Sequence, residues 1–196
     1  MLQTAPSRYH PLRVSLHWLV VLLIFVAFVL GKTMSGLPND AAKIPLLAVH
    51  VRLGITTLLV MVVRLLARFR LPRPPHAGTG NPFLDWTGRL VHALLYALVF
   101  VMAISGLSLS VQSGLMPVLF GGSGAALPAD FFAFTARRLH GLTASGLLLV
   151  IILHVGAALY HQFILKDGLL RRMGWGAEGR SRRPSYTRGG PDTEGA

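Results

Sequence analysis

Four long apolar runs constrain this chain more than any other feature of its sequence. They cover roughly Val14–Met34, Ile44–Leu66, Phe83–Val111 and Ala136–Leu165. About 20 helical residues cross a hydrocarbon core about 30 Å thick, and each run supplies that length. An apolar strand would leave its backbone groups unpaired in lipid, so helix is the expected state. The sequence therefore predicts an all-α fold, an integral membrane four-helix bundle.

The composition agrees with the membrane class. Of the 196 residues, 53% are hydrophobic and 13% are charged, whereas a soluble chain carries about 25% charge. The absence of cysteine excludes disulfides, iron–sulfur clusters and the thioether attachment of a c-type haem. The net charge of +12 is concentrated between and after the apolar runs, which is typical of a protein surrounded by membrane lipid. We therefore expect no nucleic acid partner.

The segments between the apolar runs read as connections. Ser35–Lys43 is a short polar turn, Arg70–Pro82 is a loop rich in proline and glycine, and Gly114–Phe134 is a longer loop that ends in an aromatic patch, Phe131–Phe134. Residues 174–196 are polar, basic and glycine-rich, which indicates a disordered tail. We expect one domain over residues 1–173, followed by that tail.

The distribution of Lys and Arg predicts the orientation. Fourteen of them lie at the two termini and around the second connection, and five lie on the other face, namely Lys32, Lys43, Arg52, Arg137 and Arg138. Because positive residues stay on the cytoplasmic side, both termini are expected on that side of the membrane. A cleaved signal peptide is the alternative for the first run, but no small-residue cleavage site follows it.

Six histidines lie within the four runs: His17, His50, His92, His140, His154 and His161. A single histidine in such a helix is more often an interior hydrogen-bonding residue, but ionisable side chains are costly in lipid and six of them indicate a functional path. His140 and His154 are 14 residues apart, which places them on one helix face, about 40° and about 21 Å apart. One helix thus offers an imidazole near each membrane surface.

In an antiparallel bundle, histidines of different helices can be paired when they lie at the same depth in the membrane. His50 shares the depth of His140, and we call this pair the upper layer. His17 lies in the half of the membrane that contains His154, and we call this pair the lower layer. His92 and His161 also fall in that half, so spacing alone leaves the lower pair open. A zinc or copper site would gather three or four ligands in one cluster, often with carboxylates or thiols. Two separate layers instead predict two haems, each held by two histidines.

Two arginines lie where haem propionates are expected. Arg64 follows His50 by 14 residues, on nearly the same face, and Arg52 lies next to His50. Either guanidinium can pair with a carboxylate in a bidentate manner. The alternative is that they extend toward lipid headgroups.

Several motifs resemble those of the bacterial di-haem cytochrome b561 proteins. They are R-x-S-x-H-W-L-V at Arg13–Val20, H-x-x-x-G at His50–Gly54 with M-V-V-R-L-L-A-R at Met61–Arg68, H-x-x-x-Y-x-L-x-x-x-M-x-x-S-G-L at His92–Leu107, and H-x-x-A-A-L-x-H at His154–His161. The resemblance implies two bis-histidine b haems. His17 and His154 would bind the cytoplasmic one, and His50 and His140 the periplasmic one. It also implies that His92 and His161 are not ligands and serve a propionate, a quinone or a proton path.

Bis-histidine ligation leaves no open iron site, which favours outer-sphere electron transfer. By resemblance to the superoxide oxidases of that family, we expect an oxidoreductase that passes electrons from periplasmic superoxide to ubiquinone. The five cations of the non-cytoplasmic face would steer the anion. Two alternatives remain: an electron-relay subunit that docks a periplasmic redox protein or dehydrogenase through the Phe131–Phe134 patch, and a haem-binding sensor or carrier.

Overall fold

The computed structural model describes residues 9–71, 81–166, 170, 173 and 174. All regular secondary structure in this part of the chain is helical. The helices are α1 (Pro11–Ser35), α2 (Ile44–Arg70), α3 (Pro82–Gln112), the short α4 (Leu115–Phe120) and α5 (Thr135–Tyr160), which continues as a π-helical turn, His161–Leu165. The remaining elements are two 3-10 turns, Ala41–Lys43 and Phe131–Ala133.

Four of these helical segments are long and apolar enough to cross a membrane, which confirms the four predicted spans. With the π-helical turn counted as part of the last segment, the ends of the four segments lie within four residues of the predicted ends. The largest difference is at α2, which continues past the apolar run to Arg70. Long basic side chains such as Arg68 and Arg70 extend a helix into the headgroup region because their apolar stems stay in contact with lipid.

Proline and a side-chain cap start two of the membrane helices. In α1, the His10 ring accepts a hydrogen bond from the Leu12 amide at 3.2 Å ahead of Pro11. In α3, the Asn81 side chain accepts one from the Phe83 amide at 2.9 Å ahead of Pro82. Proline suits the first helical position because that residue's N–H has no helical partner in any case.

The bundle packs in the order α1 on α2, α2 on α3 and α3 on α5, and within the described residues α5 approaches α1 and α2 far less closely. One buried residue from each long helix forms an apolar layer at mid-depth: Val20, Met61, Val99 and Leu147. Leu147 is seven residues from His140 and seven from His154. The apolar layer therefore lies between the two histidine layers.

The connection between α3 and α5 is folded, although the sequence predicted only a loop there. Residues 114–134, which we call the cap, contain α4 and the second 3-10 turn. Their apolar side chains pack against the start of α2 in a cluster of Ala48, Leu115, Leu119 and Leu127. The predicted loop over residues 70–82 and the predicted tail over residues 174–196 lie almost entirely outside the described residues.

Candidate functional site

The upper layer joins α2 to α5. The rings of His50 and His140 have their centroids 6.2 Å apart and their planes at 79°. Both side chains are half-buried. The structure therefore brings together the two histidines whose depth the sequence predicted to be equal.

Backbone and side-chain groups of α3 orient His140. Its Nδ1 lies 3.0 Å from the Met102 carbonyl oxygen and 3.2 Å from the Ser105 hydroxyl. The Ser105 hydroxyl itself donates to the Met102 carbonyl at 3.0 Å. Since a carbonyl oxygen only accepts, His140 Nδ1 carries the proton and its Nε2 keeps a free lone pair. The ring is thus set up to bind a metal ion through Nε2.

Two glycines give the upper histidines room. A Cβ atom placed on Gly106 of α3 would lie 3.0 Å from His140 Cε1, and one placed on Gly31 of α1 would lie 3.3 Å from His50 Cε1. The imidazoles therefore rest directly on the backbones of the neighbouring helices. Neither glycine was identified in the sequence as part of a site, although Gly106 belongs to the S-G-L end of the third motif.

The lower layer joins α1 to α5. The centroids of His17 and His154 are 6.4 Å apart and their planes meet at 78°. A third ring lies close by, since His92 of α3 is 5.1 Å from His154. His92 is anchored to its own helix, where its Nδ1 lies 2.7 Å from the Gly88 carbonyl oxygen. His161 is two turns further along, in the π-helical turn, with its ring against that of Tyr160.

Arg64 of α2 contacts the lower layer directly. Its Nη2 lies 3.1 Å from His17 Nδ1, and its Nη1 is buried without a hydrogen-bond partner in the described part of the chain. A guanidinium only donates, so His17 Nδ1 is the acceptor and the proton of a neutral ring is on Nε2. This arrangement is the reverse of that at His140.

Arg13, in the first motif, has a role that the sequence did not reveal. Its guanidinium donates to the carbonyl oxygens of Ala67, Arg68 and Leu71, at the end of α2. The last carbonyls of a helix lack helical partners and carry partial negative charge, so a cation stabilises them. Because Arg13 and His17 are one turn apart on α1, this contact also holds His17 beside Arg64.

Aromatic rings hold the cations around the upper layer. Arg52 lies over Phe120 at 5.0 Å, Arg137 over Phe132 at 4.7 Å, and Lys43 over Phe131 at 6.0 Å. None of the three cations has a carboxylate within salt-bridge distance among the described residues. The other two of the five cations predicted for the non-cytoplasmic face, Lys32 and Arg138, are exposed. In the described part of the chain, Arg52 and Arg137 thus lie against aromatic rings without a salt-bridge partner.

The aromatic patch that the sequence offered as a docking surface is partly used within the fold. Phe131 packs against the cluster at the start of α2, and Phe132, 55% exposed, lies beneath Arg137. These rings therefore fasten the cap to the bundle.

Comparison with known proteins places the chain in a group of membrane cytochromes. The family model described as prokaryotic cytochrome b561 matches residues 8–176. The chain is 31% identical over 172 residues to the protein named probable superoxide oxidase CybB of Yersinia pestis, covering 85% of this chain and 96% of that one. It is 32% identical over 178 residues to cytochrome b561 homolog 2 of Escherichia coli (86% and 92%), and 29% identical over 176 residues to cytochrome b562 of Cereibacter sphaeroides (87% and 97%).

Proposed function

Because the chain belongs to the prokaryotic cytochrome b561 family, a family of multi-pass inner-membrane cytochromes that bind haem b, we propose that it holds two haem b groups, one in each histidine layer. It transfers electrons across the inner membrane, from superoxide in the periplasm to ubiquinone. His50 and His140 are the iron ligands of the upper layer, and His17 and His154 those of the lower layer.

The separation of the paired rings carries this proposal. When two imidazole nitrogens face one metal ion, their ring centroids lie roughly 6.4 Å apart, because each metal–nitrogen bond is about 2.0 Å and each nitrogen is about 1.2 Å from its ring centre. The two proposed pairs are at 6.2 Å and 6.4 Å. His92 and His154, at 5.1 Å, are too close for an iron ion between facing nitrogens. The spacing thus favours His17 over His92 as the partner of His154.

The packing of the helices also fits a flat macrocycle. The backbone of α5 keeps away from α1 and α2, while imidazoles from those helices reach toward it. The Cβ-free backbones of Gly31 and Gly106 lie beside the upper rings. Such close approach is what small residues allow in a membrane bundle.

When bound, haem b would supply reversible one-electron chemistry. His140 is ready to bind iron, because the Met102 carbonyl holds its proton on Nδ1. With His17 Nε2 as the iron ligand, Nδ1 would carry the proton, and the Arg64 guanidinium would be placed to pair with a haem propionate. The apolar layer of Val20, Met61, Val99 and Leu147 excludes water between the two sites.

The orientation follows from charge. With fourteen Lys and Arg on the side of the termini and five on the other, both termini lie in the cytoplasm and the upper layer faces the periplasm. The excess of cations over carboxylates around that layer attracts an anion. Each superoxide anion gives up one electron to become O₂. Two such electrons and two protons reduce one ubiquinone to ubiquinol.

Two measurements test this function. A pyridine haemochrome assay on the purified protein should give two b haems per chain, and stopped-flow mixing with superoxide should reduce both before ubiquinone reoxidises them. One haem per chain would contradict the two-layer assignment. Protein that dithionite reduces but superoxide does not would contradict the donor, and this result would favour a relay subunit.

A further inference from the structure

Two arginines of α2 lie against one tyrosine of α3 beside the lower layer. The guanidinium carbon of Arg64 is 5.8 Å from the centre of the Tyr96 ring, and that of Arg68 is 5.4 Å from it. Both distances are within the range of about 6 Å over which an aromatic ring attracts a cation. We call these three residues the Tyr96 cluster.

The ring of this cluster is held in place by the core of the bundle. Tyr96 is half-buried and packs against the mid-depth apolar layer. It follows His92 by one helical turn in the third motif, so it lies in the half of the membrane that contains the lower layer. Arg68 is exposed at the end of α2, and its guanidinium nevertheless lies over this ring. The tyrosine therefore fixes where a long, flexible side chain places its charge.

The two arginines together call for an anion. They are four residues apart on α2, and like charges at this spacing repel each other, more strongly at the edge of a lipid core than in water. No carboxylate of the described residues lies within salt-bridge distance of either guanidinium. The Nη1 atom of Arg64 is buried and has no hydrogen-bond partner in that part of the chain. A buried donor without an acceptor is costly, so the Tyr96 cluster is suited to a ligand with negatively charged oxygens.

The position of the cluster indicates which anion it accepts. Arg64 Nη2 lies 3.1 Å from Nδ1 of His17, a proposed iron ligand, so one guanidinium touches the lower layer. A haem b group has two propionate carboxylates, and a guanidinium binds a carboxylate well because the two can pair in a bidentate manner. Two guanidiniums beside one ring thus match the two carboxylates of one haem.

We propose that Tyr96 is a positioning residue that holds Arg64 and Arg68 as a pair of propionate-binding groups, which rests on the lower haem of the proposed function and deepens it. Each guanidinium binds one propionate, and the face of the ring attracts and orients both cations. The Tyr96 hydroxyl is not required for this role. A lipid phosphate is the other anion available to Arg68 at a membrane surface, and its binding would leave haem retention unchanged when Arg68 is replaced.

Four variants of the haem-loaded protein in lipid nanodiscs test the pair and the ring. Arg68→Gln removes one charge of the pair. Arg70→Gln is its matched control, because Arg70 is exposed on the same helix and contacts no aromatic ring of the described residues. Tyr96→Leu removes the ring, and Tyr96→Phe keeps the ring without its hydroxyl.

Two readouts follow the lower haem, which is identified as the component that is absent from His154→Ala. The rate of haem transfer to excess apomyoglobin measures how tightly the haem is held. Potentiometric titration monitored by optical spectra measures its one-electron equilibrium. Neither readout depends on superoxide or quinone turnover.

We expect the lower haem to be lost about tenfold faster in Arg68→Gln than in the wild type and several-fold faster in Tyr96→Leu, because each loses part of the carboxylate binding. Its one-electron equilibrium should shift several-fold toward the oxidised form in Arg68→Gln, since a nearby positive charge is gone. Tyr96→Phe and Arg70→Gln should match the wild type, and the upper haem should be unchanged in all four variants.

Equal rates of haem loss in Arg68→Gln and Arg70→Gln would overturn the role of Arg68 and leave a lipid phosphate as its partner. Loss in Tyr96→Phe as fast as in Tyr96→Leu would overturn the role of the ring. A wild type that holds fewer than two haems would instead overturn the proposed function, and the propionate-binding pair with it.

Discussion

The two histidine layers resemble each other in ring geometry and differ in what holds the rings. In the upper layer, a backbone carbonyl and a serine hydroxyl hold His140, and glycine backbones lie against both rings. In the lower layer, the guanidinium of Arg64 holds His17, and a third histidine lies beside His154. Neutral contacts thus orient the upper ligands, whereas a charged side chain contacts a lower one. Similar ring geometry is supported by different surroundings in the two layers.

The different surroundings of the two layers predict different responses to substitution. Three substitutions, each with a control, test the comparison.

The largest effect is expected from removing a ligand of the lower layer. His154→Ala should reduce the haem content from two to one per chain, because the remaining imidazole cannot hold the iron alone. His92→Ala, the matched control in the same layer, should keep two haems per chain. The pyridine haemochrome assay and the optical difference spectrum measure the haem content of both variants. Two haems in His154→Ala, or one in His92→Ala, would show that the lower pair is assigned wrongly.

A smaller effect is expected at the glycine beneath His140. In Gly106→Ala the new Cβ would lie 3.0 Å from His140 Cε1, so the ring must shift, and we expect partial loss of the upper haem or a shifted absorption band. Gly146→Ala on α5 is the control, because no atom lies within 4 Å of its added Cβ. Haem titration of both variants, followed optically, measures the difference. Equal haem affinity in the two variants would mean that the Gly106 contact does not position the ligand.

The smallest effect is expected on redox potential. Arg64→Gln removes a positive charge near the lower layer, which should stabilise the oxidised form and lower the midpoint potential of that haem by roughly 60 mV, equal to a tenfold change in a one-electron equilibrium. Ser105→Ala removes a neutral contact in the upper layer and should change the midpoint potential of the upper haem by less than about 60 mV, the value expected for Arg64→Gln at the lower haem. Potentiometric titration monitored by optical spectra resolves the two. A rise in potential in Arg64→Gln would indicate that Arg64 stays on His17 and stabilises a deprotonated ring.

Much of this architecture could be predicted from the pattern of residues in the sequence. The four spans follow from the lengths of the apolar runs, because lipid demands helices of about 20 residues. The equal depth of His50 and His140 follows because each lies a few residues after the start of its helix and both helices start at the same side of the membrane. The cap did not follow, because its six-residue helix is too short to show a reliable period and is stabilised by packing on α2.

A membrane bundle with imidazoles at two depths could be predicted from the residues alone, since hydropathy and helical rise act along one chain and need no knowledge of neighbours. The contacts across helices could be found only in the folded structure: Arg64 on His17, Met102 and Ser105 on His140, and Gly31 and Gly106 beneath the upper rings. Such contacts depend on the rotation of each helix about its axis. That rotation is set by side-chain packing between helices, because the surrounding lipid is as apolar as most of the helix surface.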